Sequence, residues 1–481
     1  MRRLARLAAR TPADRERYLD LLRALAIVLV VLGHWAIAAV SYDEHGRPDG
    51  HSALTAIPWA YPLTWAVQVM PVFFLVGGYA NAASLAAHRR RGGDAGGWLL
   101  GRSARLLRPT SALILVLAGG ALIARLAGAE PAQVRPVVWF ATIPLWFLAA
   151  YLAVVPLTPL MYALHRRYGL LVPLVLALLV AAGDLGRALG PAALALPSYL
   201  LGWLAVHQIG FAWFDARRGH CRPLDAIPPA VTTEDRTTEG RGTEDRAGRR
   251  LGVRSRCLPM SPRAAAAMLV GGLVVAVLLT GPGPYPVSMI NLPGQRLANA
   301  APPSVALLAV ATAQLGLILL LRERAERWLH RSRPWQAVIA VNSVVLTVFL
   351  WHLSATVLLV GALHGLGVLP TPAAGSAAWL AWRLPWVLML AVVLAVLVAI
   401  FGPIEARTGR STTSQPPGRW AVARTLLTVA GFAAVVYALA ANGAAAKTAP
   451  EPLGVPVVAL VAYLAGAGTL RLLRSGWEGR G

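Results

Sequence analysis

Three ionisable side chains lie inside one apolar, membrane-length run: Asp20, Arg23 and His34, within residues 17–35. In a lipid-spanning helix each costs on the order of 2.5–3.5 kcal/mol by insertion scales, so three together mark a site or a pathway rather than an anchor. His34 is the group able to move a proton. Its unperturbed pKa of about 6.5 lies near working pH, and a neutral imidazole can take a hydroxyl proton as that oxygen attacks a carbonyl. Asp20 and Arg23, three apart, share a helix face, where the simplest role for Asp20 is an ion pair that neutralises both charges. Arg23 stands roughly 16 Å from His34 along the helix axis. There it could face a phosphate.

Two other stretches carry chemistry. Arg102-Ser103-Ala104-Arg105 opens a later apolar run, and a spacing of three puts both guanidinium groups on one helix face, ready to bind phosphate bidentately beside a helix N-terminus. Taken alone, the pair also fits ordinary positive-inside anchoring. His352, in Phe349-Leu350-Trp351-His352, lies about midway across its run and is expected to face the bundle interior. A core histidine satisfied by a hydrogen bond is the plain alternative to a role in orienting substrate.

The elements that must position these groups are legible from composition. Hydrophobic residues make up 57% of the 481 and charged residues only 14%, a balance foreign to ordinary soluble domains. Apolar runs of spanning length are expected near 18–40, 62–87, 104–127, 139–162, 168–186, 192–214, 263–281, 303–321, 337–363, 379–402, 421–441 and 452–472. The fold class is therefore all-α, a polytopic transmembrane helix bundle of about twelve spans. With the N-terminus inside, the inner segments collect 37 of the 45 basic residues, which predicts a multi-pass cell-membrane protein with both termini cytoplasmic. The same asymmetry accounts for most of the net charge of +24, so the charge does not argue for nucleic acid.

The motifs together resemble the membrane acyltransferase-3 family. Arg-x-x-x-Leu-Asp-x-x-Arg-Ala-x-Ala leading to Gly33-His34 looks like that family's opening helix, and Arg102-Ser103-Ala104-Arg105 like its Arg-x-x-Arg element. Phe73-Phe74-Leu75-Val76-Gly77-Gly78-Tyr79 is similar to its Phe-Phe-x-x-Ser-Gly-Phe segment, with Gly77 in place of Ser and Asn81 following on the same helix. Leu145-Trp146-Phe147-Leu148 with Tyr151 matches a further block, and His352 a late aromatic-His element. The resemblance implies an integral membrane O-acyltransferase. It would carry an acyl group, acetyl by default, from cytoplasmic acyl-CoA to a hydroxyl on an extracytoplasmic acceptor such as a cell-envelope or exported glycan. It makes His34 the catalytic base, Arg102, Arg105 and Arg23 the acyl-CoA site, and Asp20, Trp146, Tyr151, His352, Tyr79 and Asn81 supporting groups. Acyl-CoA is then a substrate, and no permanently bound cofactor or metal is expected.

The expected organisation is a tail at 1–17, an acyltransferase domain at 18–402 built on ten helices, and two extra C-terminal spans within 403–481. The interval 215–262 is polar, repeats Thr-Glu-Asp-Arg and cannot bury enough surface to order itself. It separates six runs from six, which suggests a twelve-span secondary transporter of the two-halves type as the rival reading. A catalytically silent relative acting as a receptor or assembly partner is a third. Cys221 and Cys257 have no metal-ligand spacing and imply no disulfide. The outer segments 41–61 and 282–302 hold His, Asp, amide and turn residues that could meet a polyhydroxyl acceptor or simply join helices.

Overall fold

The computed structural model describes residues 15–219, 257–406 and 419–475, with a few positions before residue 15. The helices are α1 (Arg17–Ile37), α2 (Met70–Arg90), α3 (Ala95–Leu126), α4 (Pro131–Thr142), α5 (Leu145–Tyr168), α6 (Leu171–Leu189), α7 (Ser198–Arg217), α8 (Pro262–Thr280), α9 (Val305–Leu329), α10 (Ser332–Asn342), α11 (Val345–Gly365), α12 (Ala377–Ala406), α13 (Arg419–Ala444) and α14 (Val457–Ser475). Among the described residues twelve helical spans are long and apolar enough to cross a membrane, and α4 and α10 are not among them. The protein is an all-α, multi-pass membrane bundle. Most of the polar interval expected at 215–262 lies outside the described residues, as does Cys221. Cys257 is a disulfide cysteine, where the sequence implied no disulfide.

Local chemistry sets the helix ends. Pro71, Pro131 and Pro262 stand in first turns, where a missing N–H costs nothing. The Asp94 side chain accepts from Gly97 N–H at 3.0 Å and starts α3 nine residues before the expected edge of that span. The ninth expected run, 337–363, is two helices. Asn342 ends α10 and donates its side-chain amide to the Val338 carbonyl at 2.9 Å and to the Asp20 carbonyl at 2.8 Å.

By contact density the chain forms two compact units, one of residues 1–69, 88–156 and 324–481, the other of 70–87 and 157–323. Each takes segments from both sides of the polar interval. A division into a first six and a last six spans, as the transporter reading requires, is not what the packing produces.

In the first unit α1 packs against α10, α11 and α12, while α3 packs against α11, α12 and α14. After α1 the chain does not continue as a loop but folds into an antiparallel hairpin, β1 (Ala38–Tyr42) on β2 (Pro48–Ser52), with Ala38 opposite Ser52 and Tyr42 opposite Pro48. Its turn is closed by Asp43, whose carboxylate accepts from Arg47 N–H at 2.8 Å and His45 N–H at 2.9 Å. These bonds, led by that from Arg47, hold the Asp43 carboxyl below the usual carboxylate range. Gly46 supplies the positive φ of 70° that the turn requires.

In the second unit α2 and α7 touch backbone to backbone. A Cβ on Gly78 would overlap the His207 carbonyl, and one on Gly210 would overlap the Leu75 carbonyl, so close helix approach explains these glycines. Two side-chain amides of the 282–302 segment are spent within it: Asn299 donates to the Pro286 and Ser288 carbonyls at 2.8 and 2.9 Å, and Asn291 accepts from Ala300 N–H at 2.8 Å. That is the work of a helix connection.

Candidate active site

His34 stands three residues before the end of α1, and α11 brings His352 against it. His34 Nδ1 lies 3.0 Å from His352 Nε2, with the rings 19° from parallel. His352 is buried, and its Nδ1 lies 2.6 Å from the Phe349 carbonyl oxygen one turn earlier on the same helix. The indole N–H of buried Trp35 donates to the His352 carbonyl at 3.1 Å, tying α1 to α11 beside the imidazole pair. His34 is only partly buried. Its Nε2 makes no hydrogen bond among the described residues and is not one of the buried unpaired atoms.

The other end of α1 carries the charge. Asp20 is buried and bonded twice, to Arg15 Nε at 2.7 Å and to Arg23 Nη1 at 3.3 Å. The Arg23 charge is within electrostatic reach of Tyr151 and Arg102 as well as Asp20, and Arg105 is within reach of both Arg102 and Arg23. Arg102 and Arg105 sit seven and ten residues into α3, not at its start. The helix dipole, which fades within the first turn, therefore adds nothing to them, contrary to the expectation from sequence. What favours an anion here is charge: Arg15 and Arg102 both act on the Arg23 guanidinium, and Arg105 lies within reach of Arg102 and Arg23. Arg105 is exposed and makes no hydrogen bond or ion pair among the described residues, so its donor fork is uncommitted.

An imidazole at one end of a helix and a cluster of guanidinium groups at the other make a site whose chemistry suits an extended, anionic ligand. Comparison with known families agrees in kind. The family model described as an acyltransferase domain matches residues 16–402. The chain belongs to the membrane acyltransferase-3 family. No curated protein and no solved structure matches it. Helices α13 and α14 lie beyond the matched residues.

Within this membrane acyltransferase the remaining expected residues divide. Tyr151 joins the Arg23 cluster. Trp146 sits beside Gly443 of α13, and it is its neighbour Phe147 that reaches towards the histidines, edge-on to Phe349 at 5.3 Å between centroids. Tyr79 and Asn81 belong to the second unit: the Tyr79 ring meets Trp213 and Phe214 edge-on, and Asn81 Nδ2 lies 3.1 Å from His207 Nε2 in a fully buried pair. Sequence reading passed over His207, Asn342 and Phe147. Glu405 fastens the first turn of the helix that bears His352. Two of these had a signal: Glu405 is an acidic residue at the edge of an apolar run, and Phe147 stands in the Leu145-Trp146-Phe147-Leu148 block.

Proposed function

We propose that this membrane acyltransferase takes an acetyl group from cytoplasmic acetyl-CoA and delivers it to a hydroxyl of an extracytoplasmic glycan of the cell envelope. The observation that carries the reading is the arrangement along α1: guanidinium groups gathered around Arg23, and His34, whose Nε2 makes no hydrogen bond among the described residues, eleven residues on, roughly 16 Å away. Arg23, Arg102 and Arg105 take the phosphates of the donor by paired, charge-assisted hydrogen bonds. The pantetheine arm is long and thin enough to follow α1 from those phosphates to the imidazole. The inner placement of the arginines follows from the Arg-rich inner segments.

At His34 the acceptor O–H gives its proton to Nε2 as its oxygen bonds to the acyl carbon. Collapse of the tetrahedral centre breaks the C–S bond, and the departing thiolate takes the proton from the imidazolium, leaving ester and free thiol. The test compares envelope glycans from cells expressing the wild-type chain, the H34A variant or neither, by mass spectrometry. The reading requires an acetyl mass on one glycan that is lost in both the deletion and H34A. An unchanged glycan profile on deletion would remove the glycan assignment, and H34A retaining the acetyl mass would remove His34 as the base.

A further inference from the structure

The hydrogen bonds around His352 decide which nitrogen of His34 is basic. His352 Nδ1 faces the Phe349 carbonyl oxygen at 2.6 Å. A carbonyl only accepts, so Nδ1 carries a proton, and in a neutral imidazole the opposite nitrogen is then a lone pair. That lone pair, on Nε2, faces His34 Nδ1 at 3.0 Å. The single proton between the rings belongs to His34 Nδ1, and His34 Nε2 is left unprotonated. A cationic His352 would reverse this. It would donate from Nε2, His34 Nδ1 would have to accept, and His34 would present N–H at the position where a base is needed.

We propose that His352 is a positioning residue that holds His34 in its Nδ1–H tautomer, so that Nε2 alone serves as the proton acceptor. This rests on His34 being the base. When Nε2 takes the hydroxyl proton, His34 Nδ1–H remains a donor to His352 Nε2, and the bond becomes charge-assisted just as the imidazolium forms. His352 gains no proton and its own Nδ1–H stays on the Phe349 carbonyl. The hydrogen bond of Trp35 to the His352 backbone keeps the two helices at the separation that the ring-to-ring bond requires. Residues 318 positions apart in sequence are thus joined into one proton-directing pair.

The test separates an acceptor at position 352 from mere bulk. In H352Q the Gln Oε1 can still accept from His34 Nδ1 while its amide donates to the Phe349 carbonyl; H352M keeps volume and supplies almost no acceptor. With full-length protein in lipid nanodiscs, [14C]acetyl-CoA as donor and the envelope-glycan fraction of cells lacking the protein as acceptor, H352M is expected to lose about 10²–10⁴-fold in kcat, as wrong-tautomer variants of other histidine bases do. The KM for acetyl-CoA should stay within about threefold, and H352Q should recover most of the loss. H352M within threefold of wild-type kcat, or a folded H352Q as inactive as H352M, overturns the assignment. Should neither variant fold, 15N spectra of histidine-labelled wild type decide, with the His34 signals found by their absence in H34Q: protonated Nδ1 with bare Nε2 supports the tautomer, and the reverse overturns it. An active H34A would instead remove the base reading itself, so the two failures are distinguishable.

Discussion

Glu405 Oε2 accepts two hydrogen bonds from Thr347, one from the backbone N–H at 2.8 Å and one from the hydroxyl at 2.7 Å. Its other oxygen accepts from Leu346 N–H at 3.1 Å. One carboxylate near the end of α12 therefore satisfies the first free donors of α11, the helix that presents His352 two turns further on.

E405A should strand two backbone N–H groups and let the first turn of α11 fray, a cost of about 2 kcal/mol. Because α11 positions His352, kcat should fall while donor KM holds. E405Q keeps one acceptor oxygen but turns an amide N–H2 towards a donor, and is expected to rescue little. Melting temperature and kcat in nanodiscs check this; an E405A protein matching wild type in both would mean that α11 is held by its packing alone.

The arginines predict a different signature. Arg105 has no protein partner among the described residues, so R105Q should leave stability unchanged and raise KM for acetyl-CoA about tenfold, the loss expected for one charge-assisted bond to phosphate. R105K keeps the charge without the planar fork and should recover only part of the affinity. R23Q leaves Asp20 still bonded to Arg15 and should likewise act on KM. Titrations with acetyl-CoA at two salt concentrations test this, since exposed guanidinium contacts weaken as salt rises. A fall in kcat with KM unchanged would separate these residues from donor binding.

The number of spans was legible because lipid demands about twenty apolar residues for each crossing, whatever the rest of the chain does. The interruption between α10 and α11 was not. Val344 and Val345 continue the apolar run, and the break depends on Asn342 turning its amide towards Asp20 on another helix. Arg102 and Arg105 could be paired by spacing, but drawing Arg23 to them requires the tertiary fold that brings its charge within reach of theirs. The partner of His34 was equally hidden. His352 could be marked as an interior residue by its depth, but its hydrogen bond across 318 residues is a tertiary fact. Tyr79 and Asn81 entered through resemblance alone, and their contacts to Trp213, Phe214 and His207 are set by the Gly78–Gly210 approach, which no one-dimensional pattern displays.

That approach can be tested directly. G78A and G210A each force a Cβ into the backbone of the facing helix, where no flexible side chain can give way. Overpacking of this kind typically costs 1–3 kcal/mol and more where backbone must move, so both variants should accumulate poorly in the membrane. Gly271 in α8 has nothing within 4 Å of its missing Cβ, and G271A should accumulate as wild type does, or better by helix propensity. Quantitative blotting of membrane fractions compares the three. Normal accumulation of G78A would show that α2 and α7 can separate without cost.

The helices beyond the matched region offer the last test. Arg135 in α4 is buried and donates to the Ala445 carbonyl at 3.0 Å and to the Ala446 carbonyl at 3.1 and 3.2 Å, just past the end of α13. Near the other end of α13, Arg424 Nη2 meets both oxygens of Asp94 at 3.1 and 3.2 Å, and Asp94 is also the cap of α3. R135L removes the charged donor that the Ala445 and Ala446 carbonyls share, about 1.5–3 kcal/mol. R424L breaks an ion pair whose carboxylate is 39% exposed, so its cost should be smaller. The two clamps lie roughly 30 Å apart along α13 and share no partner, so their effects on melting temperature should add in the double variant. Activity per folded molecule should survive in all three, because His34, His352 and the donor arginines lie within residues 16–402. A double variant no less stable than R135L alone would show that one clamp already sets the position of α13, and a loss of kcat in the folded fraction would draw α13 and α14 into the site.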